Sequence, residues 1–246
     1  MNCQDQIYSE EYIDFIGNRS LIESKYTLDC KQPLGARFAS LYLKLSDGYE
    51  DGTVYGYYNI PKLFGLQDTG SMESSGILQV RENPYLKLDG SGVLIGFVDT
   101  GIDYAGSIFL KQDGTTRVTA IWDQTIPAGS PIRLPAQPEL PETPENITRT
   151  PEGFLYGSEF THEQLNAAVK MADAYEGISS RDENGHGTFL ASIAAGNELP
   201  DGSFTGAAPK ADIAMVKLKP AKNRLRAYYQ IKEDAVAYQE NDIMAG

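Results

Sequence analysis

Two side chains in this sequence are placed where they could carry out acid–base chemistry. Asp99 follows the apolar run 93–98 in the segment GVLIGFVDTGID, and His186 lies between two glycines in the segment NGHGTFL. A carboxylate that accepts a hydrogen bond from an imidazole fixes the tautomer of the ring and stabilises its protonated form during acyl transfer. The pair could therefore supply the aspartate and the histidine of a Ser-His-Asp triad.

The residues around His186 favour a role as a general base. Gly185 and Gly187 remove side-chain bulk and would allow another segment or a substrate to approach the ring. The small apolar sequence that follows predicts a tightly packed helix, and the positive end of its dipole favours the neutral imidazole that a general base needs. The other histidine, His162, follows the candidate N-cap Thr161 and is interpreted as a capping or surface residue.

The motif around Asp99 leaves more than one interpretation open when it is taken alone. The sequence Asp99-Thr100-Gly101 also matches half of an aspartic-protease site, and an aspartate after a strand can simply cap the next helix. At the carboxyl end of a parallel strand, where the functional groups of open α/β sheets gather, it can instead orient an imidazole. The presence of His186 in the same chain favours this last interpretation.

The elements that must position the pair alternate between strands and helices. Apolar runs predict three strands, at 93–98, 117–123 and 211–219. The first is expected to be buried on both faces of a parallel sheet. Helical patterns are predicted at 161–175 and 187–196. Such alternation is typical of an α/β fold.

We divide the chain into two predicted domains. Residues 1–79 combine a short helical pattern with an alternating strand pattern and are expected to form a small α+β unit without evident chemistry. A Gly/Ser-rich stretch at 70–76 marks a boundary that would be open to cleavage. Residues 80–246 carry the α/β pattern, and their last segment, 232–246, is predicted to be helical. Within them, residues 127–151 hold seven of the chain's 13 prolines, which predicts a long surface insertion.

Composition and charge argue against several classes of partner. The chain has 21 basic and 34 acidic residues, a formal net charge of −13, so neither nucleic acid nor a membrane surface is an expected partner. No apolar run approaches the roughly 20 residues that a membrane-spanning helix requires, and the polar N-terminus lacks the features of a secretory signal peptide. Cys3 and Cys30 are interpreted as incidental thiols, without a disulfide. We assign no cofactor and no metal ligands.

Three motifs occur in the order VDTGID, NGHGT and GAAPKADIAMVKL, and together they resemble the subtilisin-like serine proteases. In that family the triad residues follow the order Asp, His, Ser, so the resemblance implies that Asp99 and His186 are the first two. It also implies that residues 80–246 are the front half of a subtilisin-like catalytic domain, an incomplete parallel sheet with flanking helices. Residues 1–79 would be a pro-domain that packs on it, and the substrate would be a protein or peptide.

A finer resemblance extends over nearly the whole chain. The segments GVLIGFVDTGIDY, RVTAIWDQT, YGSEFTHEQLN and VKLKPAKNRLR are similar to the clostridial germination-protease (Csp) branch of that family. Members of this branch clip the precursor of a spore-cortex lytic enzyme, and some are pseudoproteases that act in germinant sensing. The resemblance implies a cytoplasmic or spore-associated protein of a bacterium, with self-cleavage near Gln79.

The serine that should complete the triad is not found. The family's nucleophile lies in a G-T-S-x-A-type motif preceded by an oxyanion-hole asparagine, and residues 1–246 contain no match to that motif. Ser192 would lie on the same predicted helix as His186, and Ser203 lacks the expected helix behind it, so neither is accepted as the nucleophile. We therefore expect residues 1–246 to be the N-terminal part of a longer protein and to be inactive alone.

Two other functions stay open at this stage. The chain could be a degenerate relative that binds or senses a ligand or partner, as pseudoproteases do, although the intact Asp99 and His186 argue against this. Residues 1–79 could instead inhibit a separate protease.

Overall fold

The computed structural model describes residues 2–25, 30–44, 57–64, 88–135, 147–201 and 204–246. The chain forms two compact units. The first unit comprises Met1–Leu66, Thr150–Gly157 and Leu218–Gly246, and the second unit comprises Gln67–Arg149 and Ser158–Lys217. The predicted domain boundary and the predicted cleavage near Gln79 lie outside the described residues, so the division at residue 79 stays a prediction.

The elements are numbered in chain order. The helices are α1 (Cys3–Tyr8), α2 (Arg19–Lys25), α3 (His162–Val169), α4 (Ala174–Gly177), α5 (His186–Ala195), α6 (Asn223–Tyr228) and α7 (Glu240–Ala245). The strands are β1 (Tyr12–Asn18), β2 (Lys31–Leu34), β3 (Phe38–Lys44), β4 (Leu63–Phe64), β5 (Leu94–Asp99), β6 (Val118–Asp123), β7 (Ser158–Thr161), β8 (Asp212–Lys217) and β9 (Tyr238–Gln239). Short 3₁₀ turns lie at Tyr57–Asn59 and Ser107–Phe109.

The second unit is built on a four-stranded sheet in the order β5-β8-β6-β7. β5, β8 and β6 run parallel, and β7 is antiparallel to β6. The three predicted strands are therefore present, and the predicted α/β fold class is confirmed. The carboxyl ends of the parallel strands are in register, so that Asp99, Lys217 and Asp123 form one row across the sheet.

Helices cover this sheet and enclose an apolar core. α5 packs against β5, and α3 packs against β6. The core contains the following large side chains, each almost completely buried: Ile102, Tyr104, Phe109, Val118, Ile121, Phe160, Leu165, Ile213 and Met215. The predicted helix at 161–175 is in fact two helices, because Asp173 adopts an extended backbone and caps α4 through the backbone N–H of Tyr175.

The prediction that β5 is buried on both faces is wrong. Leu94 is 61% exposed and Val98 is 37% exposed, whereas Ile95 and Phe97 pack against the core. The reason is that α5 packs against one face of β5, whereas Leu94 and Val98 lie on the opposite face, because successive side chains of a strand alternate between its faces. Its apolar residues therefore divide between a core face and an exposed face.

The two described ends of the proline-rich segment fold back on each other. Pro131 and Ile147 form an antiparallel bridge, and the backbone N–H of Thr148 donates to the carbonyl of Ser130 at 2.8 Å. Ile132 is buried and belongs to the core of the second unit. The described parts 127–135 and 147–149 of the predicted surface insertion thus belong to the second unit, while its centre, 136–146, lies outside the described residues.

The first unit is an α+β arrangement assembled from distant parts of the sequence. Its three-stranded antiparallel sheet has the order β1-β3-β2, and β4 pairs with β9 in a second small sheet. The predicted helix at 232–246 begins only at Glu240, because β9 pairs its two residues with β4. The core of the unit includes Phe15, Leu41 and Leu225, from both ends of the chain.

Among the described residues of the first unit, two ion pairs are buried. Lys222 Nζ lies 2.5 Å from Asp14 Oδ1, and Lys219 Nζ lies 2.6 Å from Asp242 Oδ2. Tyr156 donates its hydroxyl to Asp242 at 3.1 Å. Burial raises the pKa of the Asp242 carboxyl, and Lys219 partly opposes that rise.

A disulfide joins Cys3 at the start of α1 to Cys30 just before β2. The interpretation of these cysteines as incidental thiols is therefore wrong. The 27-residue separation carries no recognisable signal, and the pairing becomes evident only because the fold brings the two Cα atoms to 4.9 Å.

Among the described residues, no helix combines the length and the apolar character needed to cross a bilayer.

Candidate active site

Asp99 and His186 meet in the second unit, as the sequence predicts. Asp99 is the last residue of β5, and His186 is the first residue of α5. The Nδ1 atom of His186 lies 2.8 Å from Oδ1 of Asp99, and the two side chains are 16% and 12% exposed. This geometry is that of a carboxylate that orients a mostly buried imidazole.

The backbone that follows β5 fixes the Asp99 carboxylate. The N–H of Thr100 donates to Asp99 Oδ1 at 2.7 Å, so this oxygen has partners on two sides. The chain then turns at Gly101, whose φ of +125° is strained for residues with a side chain. Asp99 is thus held at the carboxyl end of a strand by its own loop.

The two positions beside His186 require glycine for different structural reasons. Gly185 is the N-cap of α5 and has a φ of +87°, in the left-handed region. Gly187 has its backbone N–H within 2.8 Å of Thr100 Oγ1, and a Cβ at this position would overlap the carbonyl oxygen of Gly101. The predicted close approach to the histidine is therefore made by the loop that carries Asp99.

Asp182 organises the site, although no local sequence pattern indicates such a role. Its carboxylate accepts hydrogen bonds from the backbone N–H of Gly185 and Thr188, each at 2.8 Å. It also accepts the hydroxyls of Thr188 and Thr100, each at 2.7 Å. One side chain therefore satisfies the amino end of α5 and ties it to the loop after β5.

The ionisation of Asp182 follows from these contacts. Burial opposes the charged form, but the hydrogen bonds from Thr188, Thr100 and Gly185 outweigh burial and hold the pKa of Asp182 below its ordinary value. Asp182 lies four residues before His186, away from the N-cap position, which is why no capping pattern indicated it.

We expect Asp182→Asn to destabilise the protein by about 2 kcal/mol near neutral pH, since an amide cannot accept all four hydrogen bonds. A carboxyl whose folded pKa is lowered contributes stability above its unfolded pKa, near 4, and this contribution is lost as the pH falls through the folded pKa. The difference between variant and wild type should therefore shrink below about pH 4. Urea unfolding at pH 7 and pH 3 measures it, and a constant difference would contradict the assignment.

Tyr175 supports the loop after β5 from another side. Its hydroxyl donates to Asp103, and its ring stacks edge-on against Tyr104. Burial, with the Asp103 carboxylate, raises the pKa of Tyr175, so this hydroxyl stays a donor across the physiological range. Asp103 in turn donates its backbone N–H to Thr188 Oγ1 at 2.9 Å, which adds a second link between this loop and α5.

The remaining candidates from the sequence lie elsewhere. Ser192 donates its hydroxyl to the carbonyl of Thr188 at 2.7 Å, within the same helix as His186. Ser203 lies outside the described residues. His162 begins α3, where Thr161 is the N-cap as predicted, and His162 Nε2 lies 3.0 Å from the carbonyl oxygen of Thr116. Within the described part of the chain, no cluster of three or more His, Cys, Asp or Glu residues is arranged to hold a metal ion.

Comparison with known proteins gives consistent matches. The sequence model of the subtilase family matches residues 90–244. Two similar proteins from Arabidopsis thaliana are subtilisin-like protease SBT3.8, 30% identical over 144 residues, and subtilisin-like protease SBT2.2, 31% identical over 146 residues. The matches cover 52% and 56% of this chain but only 16% of each relative.

A solved structure is also similar to this chain. The CspB protease of Clostridium perfringens is 29% identical in the aligned region, with a TM-score of 0.43, over 60% of this chain and 24% of that protein. The chain therefore spans a small part of the length of the proteins that it matches.

Proposed function

Because this chain belongs to the subtilase family, we propose that Asp99 and His186 are the acid–base pair of a subtilisin-type serine endopeptidase. The observation that carries the proposal is the 2.8 Å contact between His186 Nδ1 and Asp99 Oδ1 at the end of a parallel strand. With Nδ1 donating to Asp99, the lone pair of the imidazole is on Nε2. Nε2 then accepts the proton of a serine hydroxyl as that oxygen attacks the peptide carbonyl, and passes it to the leaving amine.

The second part of the proposal concerns this chain alone. No G-T-S-x-A-type motif occurs in residues 1–246, and the hydroxyl of Ser192 is engaged within its own helix. Without a nucleophile and oxyanion-hole donors, the tetrahedral intermediate of acyl transfer neither forms nor is stabilised. We therefore propose that the chain does not hydrolyse peptide bonds by itself.

Activity-based labelling tests this second part. Purified protein incubated with a fluorophosphonate probe, which reacts with activated serines, should stay unlabelled, and fluorescent casein should stay uncleaved. Labelling that disappears in His186→Ala would overturn the proposed inactivity while supporting the role of His186. Labelling that survives His186→Ala would count against both parts.

Reading the gene beyond codon 246 tests the endopeptidase itself. An open frame that encodes a G-T-S-x-A-type motif is the expected result, and the corresponding longer protein should cleave casein in a manner that depends on Asp99 and His186. A stop codon without such a motif nearby would remove the endopeptidase proposal for this protein.

The family resemblance supplies the finer parts of the proposal. Residues 1–79 act as a pro-domain that packs on the catalytic domain, and the substrate is a protein or peptide. The protein works in the cytoplasm or in association with the spore.

If residues 1–79 act as a pro-domain, adding them as a separate polypeptide should raise the yield of refolded residues 80–246. An unchanged yield would count against it.

A second candidate function is binding or sensing of the pseudoprotease kind, in spore germination signalling. The absence of a matching nucleophile motif favours it. A stable partner, whose affinity is unchanged by Asp99→Ala or His186→Ala, would support this candidate over the endopeptidase.

A further inference from the structure

We propose that Lys217 is a positioning residue that sets the hydrogen bond between His186 and Asp99 through the segment Ser180–Glu183. This inference rests on the proposed function for its meaning in catalysis, but the contacts that support it do not depend on that function. Lys217 touches neither a substrate nor the reacting atoms, so its effect is exerted through the segment that precedes α5.

Lys217 occupies the centre of the row at the carboxyl end of the sheet. It is the last residue of β8, in register with Asp99 on one side and Asp123 on the other, and it is only 7% exposed. A buried ammonium group must find partners for its three N–H bonds, because an unpaired buried charge is costly.

The ammonium group of Lys217 binds the two residues on either side of Asp182. Nζ donates to the carbonyl of Arg181 at 2.7 Å and to the carboxylate of Glu183 at 2.8 Å. Burial opposes ionisation of Glu183, but the hydrogen bond from Lys217, a backbone hydrogen bond and the charge of Lys217 together outweigh it and lower the pKa of that carboxyl. Lys217 therefore holds the backbone on both sides of Asp182, whose carboxylate accepts the N–H groups at the amino end of α5.

Asp123, which lies next to Lys217 in this row, binds the first residue of the segment Ser180–Glu183. Asp123 is fully buried, and its Oδ2 accepts the hydroxyl of Ser180 at 2.7 Å and lies 3.8 Å from Lys217 Nζ. Its other oxygen, Oδ1, is occupied by the backbone and hydroxyl of Thr125. Asp123 and Lys217 together thus fix the segment that runs from Ser180 to Glu183.

The stem of Lys217 also meets the loop that carries Asp99. A Cβ on Gly101 would lie 3.2 Å from Cδ of Lys217 and 3.1 Å from the carbonyl oxygen of Arg181. One lysine therefore lies against the Asp99 loop with its stem and against the segment before His186 with its charge. Displacement of this side chain would loosen both partners of the Asp99–His186 hydrogen bond.

Proton NMR of the 1–246 chain tests the inference without substrate. The Nδ1–H proton of His186 resonates far downfield and exchanges slowly with water while it is donated to the Asp99 carboxylate. We expect Lys217→Met to raise its exchange rate about tenfold, the effect of losing one charge-assisted hydrogen bond from the support. The chain has two histidines, so the ring signals of His162, held by Thr116, serve as an internal control and should stay unchanged.

Two further variants keep the test decisive. Lys210→Met removes an exposed lysine of the same unit, paired with Asp89 at the surface, and should leave the His186 signal unchanged. If Lys217→Met does not fold, Glu183→Ala removes one partner of the ammonium group at an exposed position and should raise the exchange rate about threefold.

An unchanged His186 signal in Lys217→Met, or in Glu183→Ala where that variant replaces it, would overturn the inference. So would equal changes at His186 and His162, since these would indicate general destabilisation. The readout is independent of peptide hydrolysis, so loss of the endopeptidase proposal would leave it intact.

Discussion

Gly187→Ala is expected to displace α5 from β5 and to abolish the hydrogen bond between Asp99 and His186. A Cβ at position 187 would overlap the carbonyl oxygen of Gly101 and would lie 3.2 Å from Cβ of Asp99. A side chain could rotate away, but a backbone carbonyl moves only if its whole turn moves. That turn is the one that fixes Asp99. We therefore expect a loss of about 3 kcal/mol of unfolding free energy, the upper part of the range for overpacking.

Gly185→Ala is the matched control, because it changes the glycine on the other side of the same histidine. No atom lies within 4 Å of a Cβ at position 185, so its cost is limited to the backbone strain of a φ of +87°. Such strain costs about 1 kcal/mol and should leave the Asp99–His186 hydrogen bond in place. Urea unfolding and the Nδ1–H signal of His186 measure both effects. Equal losses in the two variants would contradict the close contact at Gly187.

The contrast between these glycines illustrates what the sequence could predict of the site. Asp99 and His186 were identified because each lies in a local pattern: an apolar strand before the aspartate, and glycines with a small apolar helix around the histidine. Local patterns could not tell that Gly185 is needed for its φ and Gly187 for a close contact. That distinction depends on a loop 86 residues earlier in the chain, at Gly101.

The supporting residues were missed for the same physical reason. Asp182 and Lys217 have ordinary sequence surroundings, and their roles arise from partners that the fold brings together. The disulfide between Cys3 and Cys30 was missed because a separation of 27 residues fits no motif. The apolar run of β5 predicted a strand correctly, but composition alone could not show that only one face of this strand packs against the core.

The arrangement of the first unit likewise cannot be predicted from local sequence patterns. Asp14 is fully buried on β1, and its charge is matched by Lys222, which lies 208 residues later in the chain. The carboxylate also accepts hydrogen bonds from Gln239 at 2.8 Å and from Asn241 at 3.1 Å. One aspartate near the N-terminus therefore organises polar side chains from the last 29 residues of the unit, Leu218–Gly246.

Asp14→Ala should consequently destabilise the first unit by about 4 kcal/mol, because it leaves the buried ammonium group of Lys222 without its carboxylate. The matched control is Glu11→Ala, which removes an exposed ion pair with Lys44 in the same unit and should cost less than about 0.5 kcal/mol. The double variant Asp14→Leu with Lys222→Met should recover part of the loss, since an apolar pair replaces the unpaired charge while the amides of Gln239 and Asn241 still lose an acceptor.

Amide hydrogen exchange, measured alongside urea unfolding, shows which helices and strands each of these three variants destabilises. If the N-terminal strands and the segment Leu218–Gly246 fold as one unit, Asp14→Ala should accelerate exchange in α6 and α7 as much as in β1 and β3. Faster exchange confined to β1 and β3 would mean that the C-terminal segment draws its stability from elsewhere. In that case the pairing of Asp14 with Lys222 would be a local contact, and it would not be what joins the two ends of the chain into one folding unit.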